Sequence, residues 1–397
     1  MQNLRAKIRA ASFIRDEEAL KDLLPLASCQ TDRTKIARHA TEMVTQLRKS
    51  AHPSVMELFL MEYGLSSEEG VALMCLAEAL LRVPDGTTID ALIEDKIAPS
   101  QWRKHLGESP SKFINASSWA LFFTGKVLSV PEQGIASLLR VAVKRLGEPV
   151  IRQAVAHLMR EMGQQFVLGE TIQGALKRAR KARASTVYHS YDMLGEAAMH
   201  EQDARAYHMA YADAIAQIAK AATSSDPRLN PGLSIKLSAL HPNYDPLHRQ
   251  QVLSELAPRL LSLAVLAKSA NIGMNIDAEE AARLDLSLDV IERVLSNPSL
   301  ADWDGFGVVV QAYGKRSAFV IDWLYALSKH LNRRIMVRLV KGAYWDTEIK
   351  IAQQQGLDDY PVFTDKSHTD LSYEACMHTL LAGPTIFCQF ATHNARS

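Results

Sequence analysis

Polar side chains stand in or just after short apolar runs throughout the second half of the sequence, where they could bind and orient a substrate. They are Asp192, Lys236, Asp277, Gln311, Arg338 with Lys341, and His393 with Asn394. Any one of them has a plain structural explanation; Lys236, for example, can simply pair with Asp277. Their recurrence in six successive runs favours a common site. If Lys236 and Asp277 lie on neighbouring parallel strands, we expect them to form an ion pair, which could orient an amine or a carboxylate.

The runs and the segments between them predict the fold that gathers these side chains. Short stretches rich in Val and Ile alternate with long amphipathic segments, a pattern typical of βα units and a parallel sheet. The runs are TVYHSYDML, LSIKLSAL, IGMNIDAE, FGVVVQAY, IMVRLVKGAY and IFCQFATHN. We therefore expect an α/β fold, a (β/α)₈ TIM-like barrel of which six strands are present. In this fold the carboxyl ends of the strands meet at one mouth, where the chemistry takes place.

The first part of the chain, to about residue 180, has helical spacing throughout, as in IRQAVAHLMREMGQQFVLG. Its breaks contain Pro and Gly, and none of its residues suggests chemistry. This region predicts an all-helical scaffold or dimerisation module.

Composition excludes several classes of protein. Lys and Arg total 45 against 44 for Asp and Glu, so the net charge of +1 gives no global field for nucleic acid or an anionic membrane. The longest apolar stretch, residues 70–83, is shorter than the roughly 20 residues that span a bilayer, and the N-terminus has no signal-peptide pattern. The four cysteines are Cys29, Cys75, Cys376 and Cys388. Because they form no CxxC pair, we expect reduced thiols that pack in the interior, and no metal site.

Phosphate-binding motifs are absent. The nearest match to GxGxxG is GFGVVV, which lacks the third glycine and begins a strand instead of following one. A nucleotide cofactor would therefore have to bind at the barrel mouth.

Six segments closely resemble, in the same order, the proline dehydrogenase barrel of the bacterial bifunctional proline utilization A proteins. They are YDMLGEAA, SIKLSALHP, NIDAEEAARLDLSLDV, VVVQAYGKR, VRLVKGAYWD and QFATHN. The preceding helices fit the same layout. The resemblance implies a helical arm at residues 1–46, a helical α-domain at 47–167 and the barrel at 168–397.

The resemblance implies an FAD-dependent oxidation of L-proline to Δ1-pyrroline-5-carboxylate, the first step of proline catabolism, with electrons passed to a membrane quinone. It implies a fragment of a bifunctional proline dehydrogenase/aldehyde dehydrogenase that is cytoplasmic and peripheral to the inner membrane; homo-oligomerisation is left open. Because the chain starts in helix, without a strand for a ribbon-helix-helix or a basic excess, we expect no DNA binding.

By resemblance, the cofactor is contacted from the ends of the later strands. Arg338 and Gln311 match flavin-contacting residues, with the guanidinium placed near N5. The segment lining the cofactor is matched by Val340, Lys341, Gly342, Ala343 and Trp345. More distant FAD contacts are matched by Thr364, Lys366, Thr392, His393 and Asn394.

The resemblance also implies a proline pocket. Lys236 matches the residue near the proline carboxylate, Asp277 and Ala278 match third-strand contacts, and Tyr344 matches an aromatic wall. Glu196 matches a gate residue that pairs with an arginine on closure, and Asp192 is a neighbour without an assigned role. The expected catalytic residues are Lys236, Asp277, Arg338 and Tyr344.

The sequence departs from the family after QFATHN, where two further strands, a substrate-contacting tyrosine and an arginine pair would follow. Arg333 and Arg334 precede a strand, so they are expected at the opposite mouth and cannot substitute. We expect a truncated barrel that folds poorly by itself and has little activity, because its two sheet edges would be unpaired.

Two other functions stay open. A Schiff-base aldolase-type barrel would use Lys236 as a nucleophile activated by desolvation. A non-catalytic, truncated interaction module would rest on the helical first half.

Overall fold

The computed structural model describes residues 1–27, 32–50, 85, 87–88, 167–182 and 187–397. The chain divides into two compact units, one of Met1–Thr45 with Ala179–Ser397 and the other of Gln46–Arg178. The predicted boundaries at residues 46 and 167 stay predictions, since most of the predicted α-domain lies outside the described residues. In the described ranges no helix combines the length and the apolar character needed to cross a membrane.

A six-stranded parallel sheet follows the order of the sequence. Its strands are β1 (Ser190–Asp192), β2 (Gly232–Ile235), β3 (Met274–Ile276), β4 (Phe306–Gln311), β5 (Ile335–Val340) and β6 (Ile386–Phe390). Every run predicted as a strand contains one, which confirms the predicted α/β fold. The strands are shorter than the runs because the backbone leaves the sheet near the polar residue at the end of each run.

Helices connect successive strands and cover the outer face of the sheet. The connecting helices are α5 (Glu201–Ala219), α6 (Arg249–Ser269), α7 (Leu284–Leu295), α8 (Ser317–His330), α9 (Trp345–Gln354) and α10 (Lys366–Leu381). The helices before the sheet are α1 (Gln2–Ala10), α2 (Asp16–Ala27), α3 (Arg33–Ser50) and α4 (Ile172–Ala182).

The two faces of β5 differ in chemistry. Successive side chains of a strand point to opposite faces, and Ile335, Val337 and Leu339 are fully buried on one of them. Arg338 lies on the other face, at the level of Val309 in β4 and Gln389 in β6. A strand whose helix-facing residues are all apolar can therefore carry a cation on its inner face.

The first two helices pack against the barrel helices. In α1, the nearly buried Arg5 forms ion pairs of 2.9 Å with Asp285 and 2.8 Å with Asp289. In α2, Leu23 and its apolar neighbours share a core cluster with Phe363 and Ala375. Residues Met1–Ala27 thus form part of the same packed unit as the sheet.

Candidate active site

Lys236 follows β2 and binds carboxylates from the strands on either side. Its Nζ lies 2.9 and 3.0 Å from the two carboxylate oxygens of Asp192 and 3.3 Å from Oδ2 of Asp277. The parallel register brings these strand ends together, since Asp192 is level with Ser234 and Ile235 with Ile276. The predicted ion pair between Lys236 and Asp277 is confirmed, and Asp192 is its third member.

The two carboxylates keep the Lys236 ammonium charged. Burial lowers the pKa of Lys236, but Asp192 and Asp277 outweigh burial and the net pKa is raised above its ordinary value. Burial is also the largest influence on Asp277 and raises the pKa of its carboxyl, against the pull of Lys236. A Schiff-base lysine must lose its proton before it attacks a carbonyl. The contacts with Asp192 and Asp277 favour the protonated lysine, and the aldolase interpretation stays an untested prediction.

Arg338 projects into the interior of the sheet and binds mainly uncharged groups. Its Nη2 donates to Ser190 Oγ at 2.8 Å and its Nη1 to Ser234 Oγ at 3.0 Å, while an oxygen of Asp277 lies 3.9 Å away. Burial lowers the pKa of Arg338, with Asp277 opposing the shift, yet a guanidinium stays protonated in proteins. The site therefore contains a four-fifths-buried cation with no carboxylate within hydrogen-bonding distance among the described residues.

Sequence reasoning missed the residues that hold Arg338. Ser190 and Ser234 are its hydroxyl acceptors, and Gln389 Oε1 lies 3.4 Å from its Nε. A signal was present, because Ser190 stands two residues before Asp192 and Ser234 two before Lys236. In a strand this spacing places both members of each pair on one face.

Gln311 holds the turn that follows β5. Its Nε2 donates to the Glu279 carbonyl at 2.9 Å, and its Oε1 accepts from the Ala343 amide at 3.2 Å. Gly342 has φ +138°, and a Cβ there would lie 2.5 Å from the Tyr313 ring. This turn therefore requires glycine, both for its backbone conformation and for the ring beneath it.

Tyr344 lies at the same mouth. It is partly buried, and burial, followed by the carboxylate of Glu196, raises its pKa; Lys236 acts on it in the opposite direction. Asp277, Ala278 and Gln311 contribute to the wall of a small cavity of about 50 Å³. The structure thus brings Tyr344, Lys236, Asp277 and Gln311 into one region.

Two lysines near β5 share one carboxylate. Lys341 Nζ lies 2.7 Å from Oδ1 of Asp370, and Lys366 Nζ lies 2.7 Å from Oδ2. One carboxylate balances only one of the two ammonium charges, so this edge keeps an excess of positive charge. Asp370 was not predicted, although its spacing of four residues from Lys366 on a helix is a recognisable pair.

Other predicted residues lie further out. Trp345 Nε1 donates to the Phe363 carbonyl at 2.9 Å, and Val340 is inward-facing and partly buried. Glu196 is exposed and forms no ion pair with an arginine in the described part of the chain. Past β6, Thr392, His393 and Asn394 are exposed, and the Asn394 amide donates to Thr392 Oγ1 at 3.0 Å. The last three are turn residues and not members of the Lys236 cluster.

The described residues include two cysteines and no candidate metal site. Among the described residues no group of three or more His, Cys, Asp or Glu side chains is placed to hold a metal ion. Cys376 is buried and Cys388 partly buried, both as free thiols. Cys29 and Cys75 lie outside the described residues.

A family model described as proline dehydrogenase matches residues 175–397, more than half of the chain and all of the sheet. The chain belongs to the proline dehydrogenase family. Its predicted family resemblance is thereby confirmed.

Relatives and solved structures agree with this family. The bifunctional protein PutA of Klebsiella aerogenes is 52% identical over 90% of this chain and 27% of that protein, and that of Escherichia coli is 50% identical over 99% and 30%. A solved mutant of Bradyrhizobium japonicum proline utilization A is 48% identical, with a TM-score of 0.71 over 97% of this chain and 39% of that chain. The chain thus spans less than a third of the length of these two curated relatives.

A second family model, described as the DNA-binding domain of proline dehydrogenase, matches residues 55–166. This match contradicts the expectation of no DNA binding. That expectation relied on the lack of a ribbon strand at the start of the chain, which concerns only one type of DNA-binding domain. It also relied on net charge, which averages over the whole chain and does not report a local surface. Almost all of the matched residues lie outside the described ranges.

Proposed function

We propose that the barrel oxidises L-proline to Δ1-pyrroline-5-carboxylate with FAD as its cofactor. The observation that carries the proposal is the buried Arg338 cation, which is held by Ser190 and Ser234 beside the charged Lys236 cluster. Membership of the proline dehydrogenase family supports the same reaction.

The residues present fit FAD. Arg338 is a cation with largely neutral partners, which suits an electron-rich ring that gains negative charge. Lys341 and Lys366, which share Asp370, suit a diphosphate. Gly342 is exposed at this mouth and carries no side chain on which a flat ring would clash. When bound, FAD accepts the hydride released from C5 of proline.

The chain's own residues bind and orient the substrate. The Lys236 ammonium attracts the proline carboxylate, and Asp192 and Asp277 keep that ammonium charged. Tyr344 forms an aromatic wall at the mouth, and Gln311 fixes the turn that carries it. Arg338 would supply a permanent positive charge to the flavin ring.

The proposal extends to a longer assembly. It includes transfer of electrons to a membrane quinone and a cytoplasmic location peripheral to the inner membrane. It also includes a second, aldehyde-oxidising activity in a longer protein. The relatives called bifunctional support the last of these.

Flavin spectroscopy tests the proposal. The purified chain is reconstituted with FAD, and its absorption spectrum is recorded anaerobically before and after addition of proline. We expect bound-flavin bands that L-proline bleaches slowly, because little activity is expected of a six-stranded barrel, and that D-proline does not bleach. Absence of bound flavin, or flavin that stays oxidised with proline, contradicts the proposal. Borohydride reduction with a carbonyl compound distinguishes the aldolase, because only a Schiff base would label Lys236 covalently.

A second candidate function is DNA binding by residues 55–166, which the second family match favours. We expect the chain to retard duplex DNA in a gel, more strongly at low salt, because phosphate contacts release counterions. Deletion of residues 55–166 with no change in retardation would argue against it.

A further inference from the structure

Asp16, the first residue of α2, binds barrel residues through both carboxylate oxygens. Its Oδ1 lies 2.9 Å from Lys315 Nζ. Its Oδ2 accepts from Thr364 Oγ1 at 3.3 Å and lies 3.0 Å from His368 Nδ1. One carboxylate therefore connects the turn after β4 with the segment that enters α10.

Lys315 anchors this connection at a fully buried point. Its side chain has no exposed surface, and its Nζ also binds Asp359 Oδ1 at 2.8 Å and the Ile14 carbonyl at 2.6 Å. A buried ammonium with three oxygen partners has little freedom to move. Asp16 is thus held in one orientation, with Oδ2 directed at residues 364–368.

Asp16 is not needed to start its own helix. Glu17 and Glu18 also lie in the first turn of α2 and are exposed, so negative charge near the helix N-terminus is supplied without it. Burial raises the pKa of Asp16, but hydrogen bonds from Lys315 and His368 outweigh burial and the net pKa is lowered. The carboxylate is consequently ionised and committed to the barrel.

The segment that Asp16 contacts leads into the proposed cofactor site. The Phe363 amide donates to the Tyr313 carbonyl at 2.8 Å, and the Phe363 carbonyl accepts from Trp345 Nε1 at 2.9 Å. Beyond Thr364, Lys366 begins α10 and shares Asp370 with Lys341. The position of residues 363–366 thus determines where both the indole and the paired lysines lie.

We propose that Asp16 is a positioning residue for the cofactor site, through which α2 fixes residues 363–368 in the conformation that receives the diphosphate of FAD. This inference rests on the proposed function, because it names FAD as the ligand. It adds a role for the N-terminal arm, which lies more than 300 positions away in the sequence from the residues it orders.

The test compares Asp16→Asn with Asp22→Asn in the full chain. Asp22 is an exposed residue of the same helix, so its substitution makes the same chemical change without the barrel contacts. Hydrogen exchange of the peptides covering residues 361–370 is measured without FAD, and FAD affinity is measured by fluorescence titration. His368→Ala, which leaves no side-chain donor at position 368 and so removes one contact of Asp16 Oδ2, is the second variant in case Asp16→Asn does not fold.

We expect Asp16→Asn to speed exchange in residues 361–370 and to weaken FAD binding roughly tenfold. His368→Ala should shift both quantities in the same direction, and Asp22→Asn should behave like the unchanged chain. Exchange and affinity equal to those of Asp22→Asn would overturn the inference. A lower melting temperature would also overturn it if exchange in residues 361–370 were unchanged relative to other barrel peptides. If the unchanged chain binds no FAD, the proposed function fails, and the exchange measurement still decides whether Asp16 orders this segment.

Discussion

At the scale of single residues, Arg338 combines a fixed charge with a fixed direction. Its planar fork serves Ser190 and Ser234, on two different strands, at the same time. A lysine ammonium could not reproduce both hydrogen bonds in that geometry. The identity of this side chain, and not its charge alone, is therefore what the site requires.

Arg338→Lys tests this requirement. We expect FAD affinity to fall more than about tenfold while the free energy of unfolding changes by only about 1 kcal/mol, because hydroxyl partners remain solvated or paired elsewhere. Fluorescence titration and urea denaturation measure the two quantities. Arg334→Lys, an exposed arginine at the start of the same strand, is the matched control. Flavin affinity that is equal in the two variants would contradict the assignment.

Lys236→Met tests the charge cluster. Without the ammonium, the carboxylates of Asp192 and Asp277 lose the cation in direct contact with them and keep Arg338 at 3.9 Å from Asp277. We expect the free energy of unfolding at pH 7 to fall by about 2 to 3 kcal/mol. Bleaching of the flavin by proline should be lost as well. Lys329→Met, on the exposed end of α8, supplies the comparison.

The same variant should depend on pH in a defined direction. Burial and the carboxylate of Asp192 both raise the pKa of Asp277, and Lys236→Met removes an opposing charge. A carboxyl with a raised folded-state pKa takes up protons on folding, so the deficit in stability should shrink as pH falls from 7 towards 5. Urea midpoints across this range measure it, and a deficit that grows on acidification would refute the reasoning.

At the scale of elements, the turn after β5 depends on one glycine. Both Gly342 and Gly356 have positive φ, but only at Gly342 would a Cβ meet a ring, that of Tyr313, at 2.5 Å. Gly356, with φ +64° and no atom within 4 Å of a Cβ, is therefore the milder reference for Gly342.

Gly342→Ala should lower the free energy of unfolding more than Gly356→Ala does. We expect a loss in the free energy of unfolding of about 1 kcal/mol at Gly356, which lies in the left-handed helical region. At Gly342 we expect at least about 2 kcal/mol more, because φ +138° is outside that region and the Tyr313 ring must move. Urea denaturation gives the free energies, and FAD titration should show weaker binding only for Gly342→Ala. Equal losses of unfolding free energy in the two variants would mean that the Tyr313 ring moves aside at little cost.

The attachment of α2 should also depend on pH. Asp16 faces Lys315, Thr364 and His368, with Asp359 and Asp365 nearby. Because its folded-state pKa is lowered, its stabilisation is complete above about pH 4 and is lost as pH falls through the folded-state pKa. The stability difference between the unchanged chain and Asp16→Asn, about 1.5 to 3 kcal/mol at pH 7, should therefore shrink as pH falls below about 4. Thermal melts of both proteins from pH 7 to 3 measure this, and a constant difference would contradict it.

At the scale of the whole molecule, the described N-terminal helices are part of the barrel's packing. Ile8 is fully buried and Leu23 nearly so, and Arg5 and Asp16 form ion pairs with barrel residues. Deletion of residues 1–27 should lower the free energy of unfolding by about 3 to 6 kcal/mol from the two apolar side chains alone. Calorimetry of the deleted and full chains tests this; an unchanged melting temperature would mean that the arm is an independent addition.

The strands and their order were predictable because the physical causes are local. Runs of Val and Ile that are buried on both faces read as strands, and amphipathic segments between them read as crossover helices. Lys236 and Asp277 could be paired from sequence for the same reason, since consecutive parallel strands end at one edge. The family resemblance rested on this local order as well.

Only the tertiary structure decided which side chains complete the site. The spacing of Ser190 and Ser234 places them on the inner face with Asp192 and Lys236, but their role as partners of Arg338 appears only when β5 brings the guanidinium between them. Asp16 and Thr364 are 348 positions apart, and no period or spacing links them. The sequence by itself determined the elements and the inward-facing polar residues, because hydrophobic alternation is a property of neighbouring positions. The partners of those residues depend on how distant segments pack, and that was settled by the folded chain.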